Sequence, residues 1–186
     1  MIARMHDAKS LPMTSPCARR RYLAAALGAA AIIATLITTN SARHSPILVW
    51  NASASAPIGL YLRLGESTAS CGDLVLVETP RKVARFADER HYLPLGVPLI
   101  KRVVALSGST ICGSGDTVII DGAMVLKRKR RDGQGRPLPS WFGCHRLGAG
   151  EVFLAMENVP GSFDGRYFGA LPVSAIRGRL VPLWTR

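Results

Sequence analysis

Between residues 22 and 39 the chain reads YLAAALGAAAIIATLITT, eighteen positions with neither a charge nor a proline. As a helix rising about 1.5 Å per residue, this stretch spans ~27 Å, just enough to cross a hydrocarbon core of about 30 Å. Arg19, Arg20 and Arg21 stand directly before it, and the positive-inside rule then holds the N-terminus in the cytoplasm. The expected organisation is a basic cytoplasmic segment at 1–21, a transmembrane signal anchor at 22–39 and a periplasmic domain at 45–186. That makes the chain a single-pass protein of the inner membrane, with the lipid bilayer as a partner. A cleaved signal peptide is the competing reading, but its apolar region usually runs to about 7–15 residues and ends at a small-residue site. A buried core helix is the other alternative, and the triple Arg flank argues against it.

The formal charge of +12 raises nucleic-acid binding as a first thought, but its distribution argues against it. Residues 1–21 hold Arg4, Lys9, Arg19, Arg20 and Arg21 against Asp7 alone, leaving 19 basic and 11 acidic residues for the rest. Five of those basic residues are the run Lys127 to Arg131. The cysteines are Cys17, Cys71, Cys112 and Cys144. Cys17 precedes the anchor and belongs to the reducing side, whereas the other three face a compartment where disulfides persist. Cys112 and Cys144 flank the basic run and are expected to bridge. No CxxC or His-paired spacing points to a metal, and no cofactor is expected.

Beyond residue 45 short apolar runs alternate with Gly, Pro and Ser. Strands are expected at 47–50, 59–64, 73–78, 99–106, 117–120, 123–127, 152–156 and 176–183. Asp121-Gly122, between two of them, is a hairpin signal. Helical spacing is confined to 80–90, where Val83, Phe86 and Ala87 share a face. Many short strands and one helix imply a mainly β, barrel-type domain. Residues 128–140 (RKRRDGQGRPLPS) lack an apolar period and read as a basic surface loop.

Three segments of this domain carry residues capable of chemistry. In NASASAPIGLY (51–61), Ser53 and Ser55 share a face if the backbone is extended; Pro57 restricts Ala56, and Gly59 permits a turn. In the strand around IKRVVALSG (100–108), Lys101 shares a face with Leu99, Val103 and Ala105. It is either an edge lysine snorkelling to water or a desolvated amine neutral enough to act as a base. A Ser hydroxyl needs such a base within hydrogen-bond reach before it can attack. In GSFDGRYFG (161–169), Asp164 and Arg166 suit a turn with an ion pair, and Ser162 can orient a buried lysine. None of His6, His44, His91 and His145 sits at spacing that suggests a His-based centre.

These segments, in this order behind an N-terminal anchor, resemble the type I signal peptidase superfamily, most closely its conjugative-transfer (TraF-type) pilin-processing branch. The resemblance covers roughly residues 20–184. It implies Ser55 as nucleophile, Lys101 as general base, Ser53 with the Ser55 N–H as oxyanion hole, Ser162 orienting the lysine, and Asp164 with Arg166 supporting that wall. General signal peptidases place a Met and one further residue between serine and proline, whereas only Ala56 stands here, which favours the conjugative branch. The usual glycine-aspartate-asparagine opening of the last motif is replaced by Met156-Glu-Asn-Val. The implied substrate is a pilin precursor or another signal-peptide-bearing protein, bound by strand addition, with either hydrolysis or cyclisation as outcome. The sequence leaves open a general signal peptidase, a membrane-anchored β scaffold, and a basic surface at Lys127 to Arg131 that binds DNA or anionic lipid.

Overall fold

The computed structural model describes residues 27–28, 47–65 and 69–186. The expected span at 22–39 therefore lies outside the described residues except for Leu27 and Gly28, which are helical. Cys17 and the basic segment before it lie outside as well. Among the described residues no helix is long and apolar enough to cross a membrane.

Ser45–Arg186 form one compact unit, whose described residues hold eleven strands and two short α-helices. The strands are β1 (Leu48–Asn51), β2 (Gly59–Leu64), β3 (Leu74–Val77), β4 (Leu99–Leu106), β5 (Thr110–Ser114), β6 (Thr117–Ile120), β7 (Met124–Lys127), β8 (Gly143–Arg146), β9 (Glu151–Ala155), β10 (Leu171–Pro172) and β11 (Ile176–Thr185). Helix α1 spans Arg81–Glu89 and α2 spans Gly165–Phe168. The mainly β class is as expected. The larger sheet runs β1-β2-β11-β3-β4-β9-β10, open with β1 and β10 at its edges rather than closed as a barrel; the smaller runs β7-β6-β5-β8.

Seven of the expected strands fall on β1, β2, β3, β4, β6, β7 and β9, and the eighth on most of β11. The β6–β7 hairpin turns at Asp121 and Gly122, which both take positive φ (49° and 70°), as a primed turn requires. Strands β5, β8 and β10 were not expected. β5 contains Gly113, where a Cβ would come within 2.6 Å of Trp141; the glycine lets the indole lie on the strand, and it also erases the apolar alternation. β8 is exposed throughout. Cys112 and Cys144 pair directly across β5 and β8 in a disulfide spanning 32 positions, while Cys71 is a free, exposed thiol.

The 128–140 segment is not a simple surface loop. Arg128 is buried; it donates to Gly115 O, Trp141 O and Arg166 O at 2.9, 2.8 and 3.1 Å, and its guanidinium lies over the Trp141 ring. A buried arginine survives only when its donors are spent, and here backbone carbonyls take them. Further along, Asp132 accepts from Tyr92 OH at 2.6 Å and from Arg136 Nε at 2.7 Å. These bonds press the segment against the end of α1.

Candidate active site

Residues 51–58 do not run extended. They form a tight loop wound around Asn51, whose side-chain amide donates to Ser53 O (2.9 Å), Ala56 O (3.0 Å) and Pro57 O (2.9 Å). Its Oδ1 accepts from Ser53 N at 3.0 Å. One buried amide, its two N–H groups shared among three carbonyls, thus ties together four backbone groups of the loop. Tyr61, fully buried, adds a bond from its hydroxyl to Pro57 O at 2.5 Å. Ser53 and Ser55 meet through the turn rather than through alternation: their Oγ atoms lie 2.7 Å apart, and Ser55 N donates to Ser53 Oγ at 3.2 Å.

Lys101 lies in the middle of β4, opposite Val75 of β3, and is 1% exposed. The edge-strand alternative fails because β4 sits between β3 and β9. Its ammonium donates to Ser162 Oγ at 2.8 Å. Burial lowers its pKa from 10.5 to about 8, opposed by the Asp164 carboxylate and reinforced by the Arg166 guanidinium. Stripping water from the cation outweighs the nearby negative charge.

Ser162, Asp164 and Arg166 are all buried. Asp164 caps α2 by accepting from Arg166 N, and it meets the Arg166 guanidinium through two bonds of 2.8 Å. Arg166 also donates to Lys127 O and Val159 O at 3.0 and 2.9 Å. Planar, multiply bonded geometry of this kind is what lets a buried ion pair persist.

Ser53, Ser55 and Lys101 line one cleft of about 330 Å³, together with Leu99, Tyr92 and Leu138. Ser162, Asp164 and Arg166 form the wall behind the lysine, so the three segments singled out in the sequence converge on one place. Among the described residues Ser55 Oγ is engaged by Ser53 and Lys101 Nζ by Ser162; the two do not bond to each other. A hydroxyl and a desolvated amine facing one cavity can perform base-assisted acyl transfer. Sequence reasoning missed Asn51 as the loop's organiser, and it missed the wall supplied by Tyr92, Lys129, Asp132 and Leu138. Asn51 opened the motif and was the available signal; the wall had none, because its residues are spread over two loops. No group of three or more His, Cys, Asp or Glu that could hold a metal occurs among the described residues.

The profile of the signal peptidase family, peptidase S26, matches residues 19–184. The chain belongs to that family. This S26 peptidase is 35% identical over 170 residues to "Probable conjugal transfer protein TraF" of Sinorhizobium fredii (strain NBRC 101917 / NGR234), covering 86% of this chain and 89% of the relative. It is 30% identical over 176 residues to "Plasmid transfer protein TraF" of Escherichia coli, covering 89% and 95%. It is 33% identical over 147 residues to "Conjugal transfer protein TraF" of Agrobacterium fabrum (strain C58 / ATCC 33970), covering 73% and 81%. A signal peptidase I from Enterococcus faecalis V583 superposes with a TM-score of 0.38 at 21% identity, over 62% of this chain and 98% of that one. The resemblance to the superfamily and to its conjugal-transfer branch is thus borne out. By family the S26 peptidase is a serine peptidase whose substrates are proteins.

Proposed function

We propose that this S26 peptidase is a membrane-anchored endopeptidase that cuts an exported precursor, a pilin subunit of a conjugation apparatus, with Ser55 as nucleophile and Lys101 as general base. The observation that carries the reading is the pairing, in one cleft, of a surface-accessible serine with a lysine that burial holds near the pKa a base needs at physiological pH. Before attack Ser55 Oγ swings from Ser53 toward Lys101 Nζ, and the neutral amine takes its proton. Ser55 Oγ then bonds to the scissile carbonyl carbon. The developing oxyanion displaces Ser53 Oγ from the Ser55 N–H and takes both as donors. The Lys101 ammonium returns its proton to the leaving amine. Water hydrolyses the resulting acyl-enzyme, or an amine of the same pilin captures it and closes a circle.

Anchoring in the inner membrane with the domain in the periplasm rests on the sequence at 19–39. It is supported by the stacked, half-exposed pair Trp50 and Trp184, whose ring centroids lie 6.0 Å apart. Tryptophan suits the lipid–water boundary.

Co-expression with the candidate pilin precursor, followed by intact mass spectrometry, tests the reading. Wild type shortens the precursor, while Ser55→Ala and Lys101→Ala leave it whole; a product lighter by one further water indicates cyclisation. Equal processing by all three proteins would sink the assignment and leave a scaffold. Cleavage should rise with pH along one titration centred near 8, the value to which burial lowers Lys101.

A further inference from the structure

Beside the cleft lies a second groove of about 730 Å³, formed by α1, Pro139 and the segment leading into α2. Its floor is aromatic. Phe163 stacks with Phe86 at 5.4 Å and with Tyr167 at 5.8 Å, and meets Phe168 edge-on at 5.5 Å. Phe86, Phe163 and Phe168 all remain partly open to solvent. The rim is basic: Arg81, Lys82 and Arg85 are exposed along α1 against a single carboxylate, Glu89. Among the described residues none of the three cations is ion-paired.

Phe163 and Tyr167 line both the groove and the catalytic cleft, so the two form one continuous track. At the cleft end stands Lys129, likewise without an ion pair among the described residues. The neighbouring Asp132 is already spent on Arg136, Arg90 and Tyr92. Four cations therefore face the track, and one carboxylate remains free to oppose them.

We propose that this groove is an exosite for the protein substrate, holding an acidic segment that lies beyond the residues at the scissile bond and carries an apolar side chain. The apolar side chain rests on the Phe86–Phe163–Phe168 floor, and the carboxylates face Arg81, Lys82 and Arg85. The inference rests on the peptidase reading and adds to it a substrate class: sequences acidic a short distance from the cut. Rim charges of this kind act on encounter and ground-state binding, not on bond making.

The test uses the detergent-solubilised full chain and fluorogenic peptides with small residues before the bond. Each peptide carries either an Asp-Glu-Phe or an Asn-Gln-Phe segment, placed upstream or downstream of the cut. For one placement the acidic peptide shows a KM about fivefold or more below its neutral counterpart, and raising salt from about 0.05 to about 0.5 M removes the difference. The combined variant Arg81→Glu, Lys82→Glu, Arg85→Glu raises the KM of the acidic peptide about tenfold, with kcat and the neutral peptide unchanged. Arg81 and Lys82 sit in the first turn of α1, where acidic residues are favoured, so the variant keeps its helix; far-ultraviolet circular dichroism checks this. Equal KM for acidic and neutral peptides in both placements overturns the proposal. So does a variant that loses binding to phosphatidylglycerol vesicles while its peptide kinetics stay as in wild type, since the strip then faces lipid. A folded wild type that cuts none of the peptides overturns the peptidase reading itself, and the exosite with it.

Discussion

The two sheets of this domain solve opposite problems. The larger carries Lys101 inside and packs it against Ser162, Asp164 and Arg166 of the segment between β9 and β10; all four are at most 1% exposed, and every one is held by a hydrogen bond or an ion pair. The smaller has an aliphatic interior of Ile111, Val118, Ile120 and Leu126, leaves β8 exposed, and is closed by the Cys112–Cys144 bridge. Ala105, Phe153 and Ala155 of the larger sheet join that same cluster, so the two share a core while differing in what holds them. The contrast teaches that the larger sheet buries its charge beside a carboxylate partner, whereas the smaller gains a covalent tie and meets its buried cation, Arg128, with backbone carbonyls.

Removing the proposed nucleophile, base or oxyanion donor gives the largest effect expected in the first region. Ser55→Ala and Lys101→Ala each lower precursor cleavage by ~10³-fold or more, and Ser53→Ala by ~10²-fold, measured as single-turnover rates. Next comes Arg166→Met, which strands the Asp164 carboxylate in the interior. It should cost about 3–5 kcal/mol in urea unfolding, whereas Arg177→Met, which breaks the exposed pair with Glu78, should cost under about 1 kcal/mol. Equal costs would erase the distinction between the regions. In the second region, Cys112→Ser with Cys144→Ser should lower stability by about 3 kcal/mol through loop closure, read as a drop in Tm, while kcat at low temperature holds.

A pH titration sharpens the comparison further. Because burial lowers Lys101 from 10.5 to about 8 in the folded state, the native state releases that proton before the unfolded chain does. Wild type therefore gains stability relative to Lys101→Met as pH rises from 8 to 10.5, by up to roughly 3 kcal/mol, and the difference is flat below pH 8. Parallel stability profiles above pH 8 would contradict a desolvated lysine. A small change is expected for Tyr61→Phe, which loses the single bond to Pro57 O: about 1 kcal/mol of stability, read in urea unfolding.

The two sheets also differ in how far the sequence reveals them. Strands β2, β3, β4 and β9 announce themselves through Val and Leu runs, and Lys101 stood out because it interrupted one. Ser162, Asp164 and Arg166 were identifiable from their order behind the serine and lysine segments. Strands β5 and β8 were hidden because Gly113, Gly143 and the cysteines break the apolar period; a cross-strand disulfide and a tryptophan lying on glycine do the work that side-chain alternation does elsewhere. Arg128 was misread for a related reason. A basic run signals solvent by composition, and nothing local reveals that carbonyls from Gly115, Trp141 and Arg166 wait to receive one member of it.

Gly178 has a reach that its distance from the cleft conceals. The serine loop hangs from β2 and Lys101 rides on β4, with β11 and β3 lying between them. At Gly178 the β11–β3 register shifts by a bulge, φ is 149°, and a Cβ would stand 2.4 Å from Leu64 O. The intervening strands thus act as a gauge block between Ser55 and Lys101, and this glycine lets them pack at close spacing. Widening the block there shifts Ser55 relative to Lys101 while both side chains stay intact, so a fault in alignment can arise at a position that touches neither.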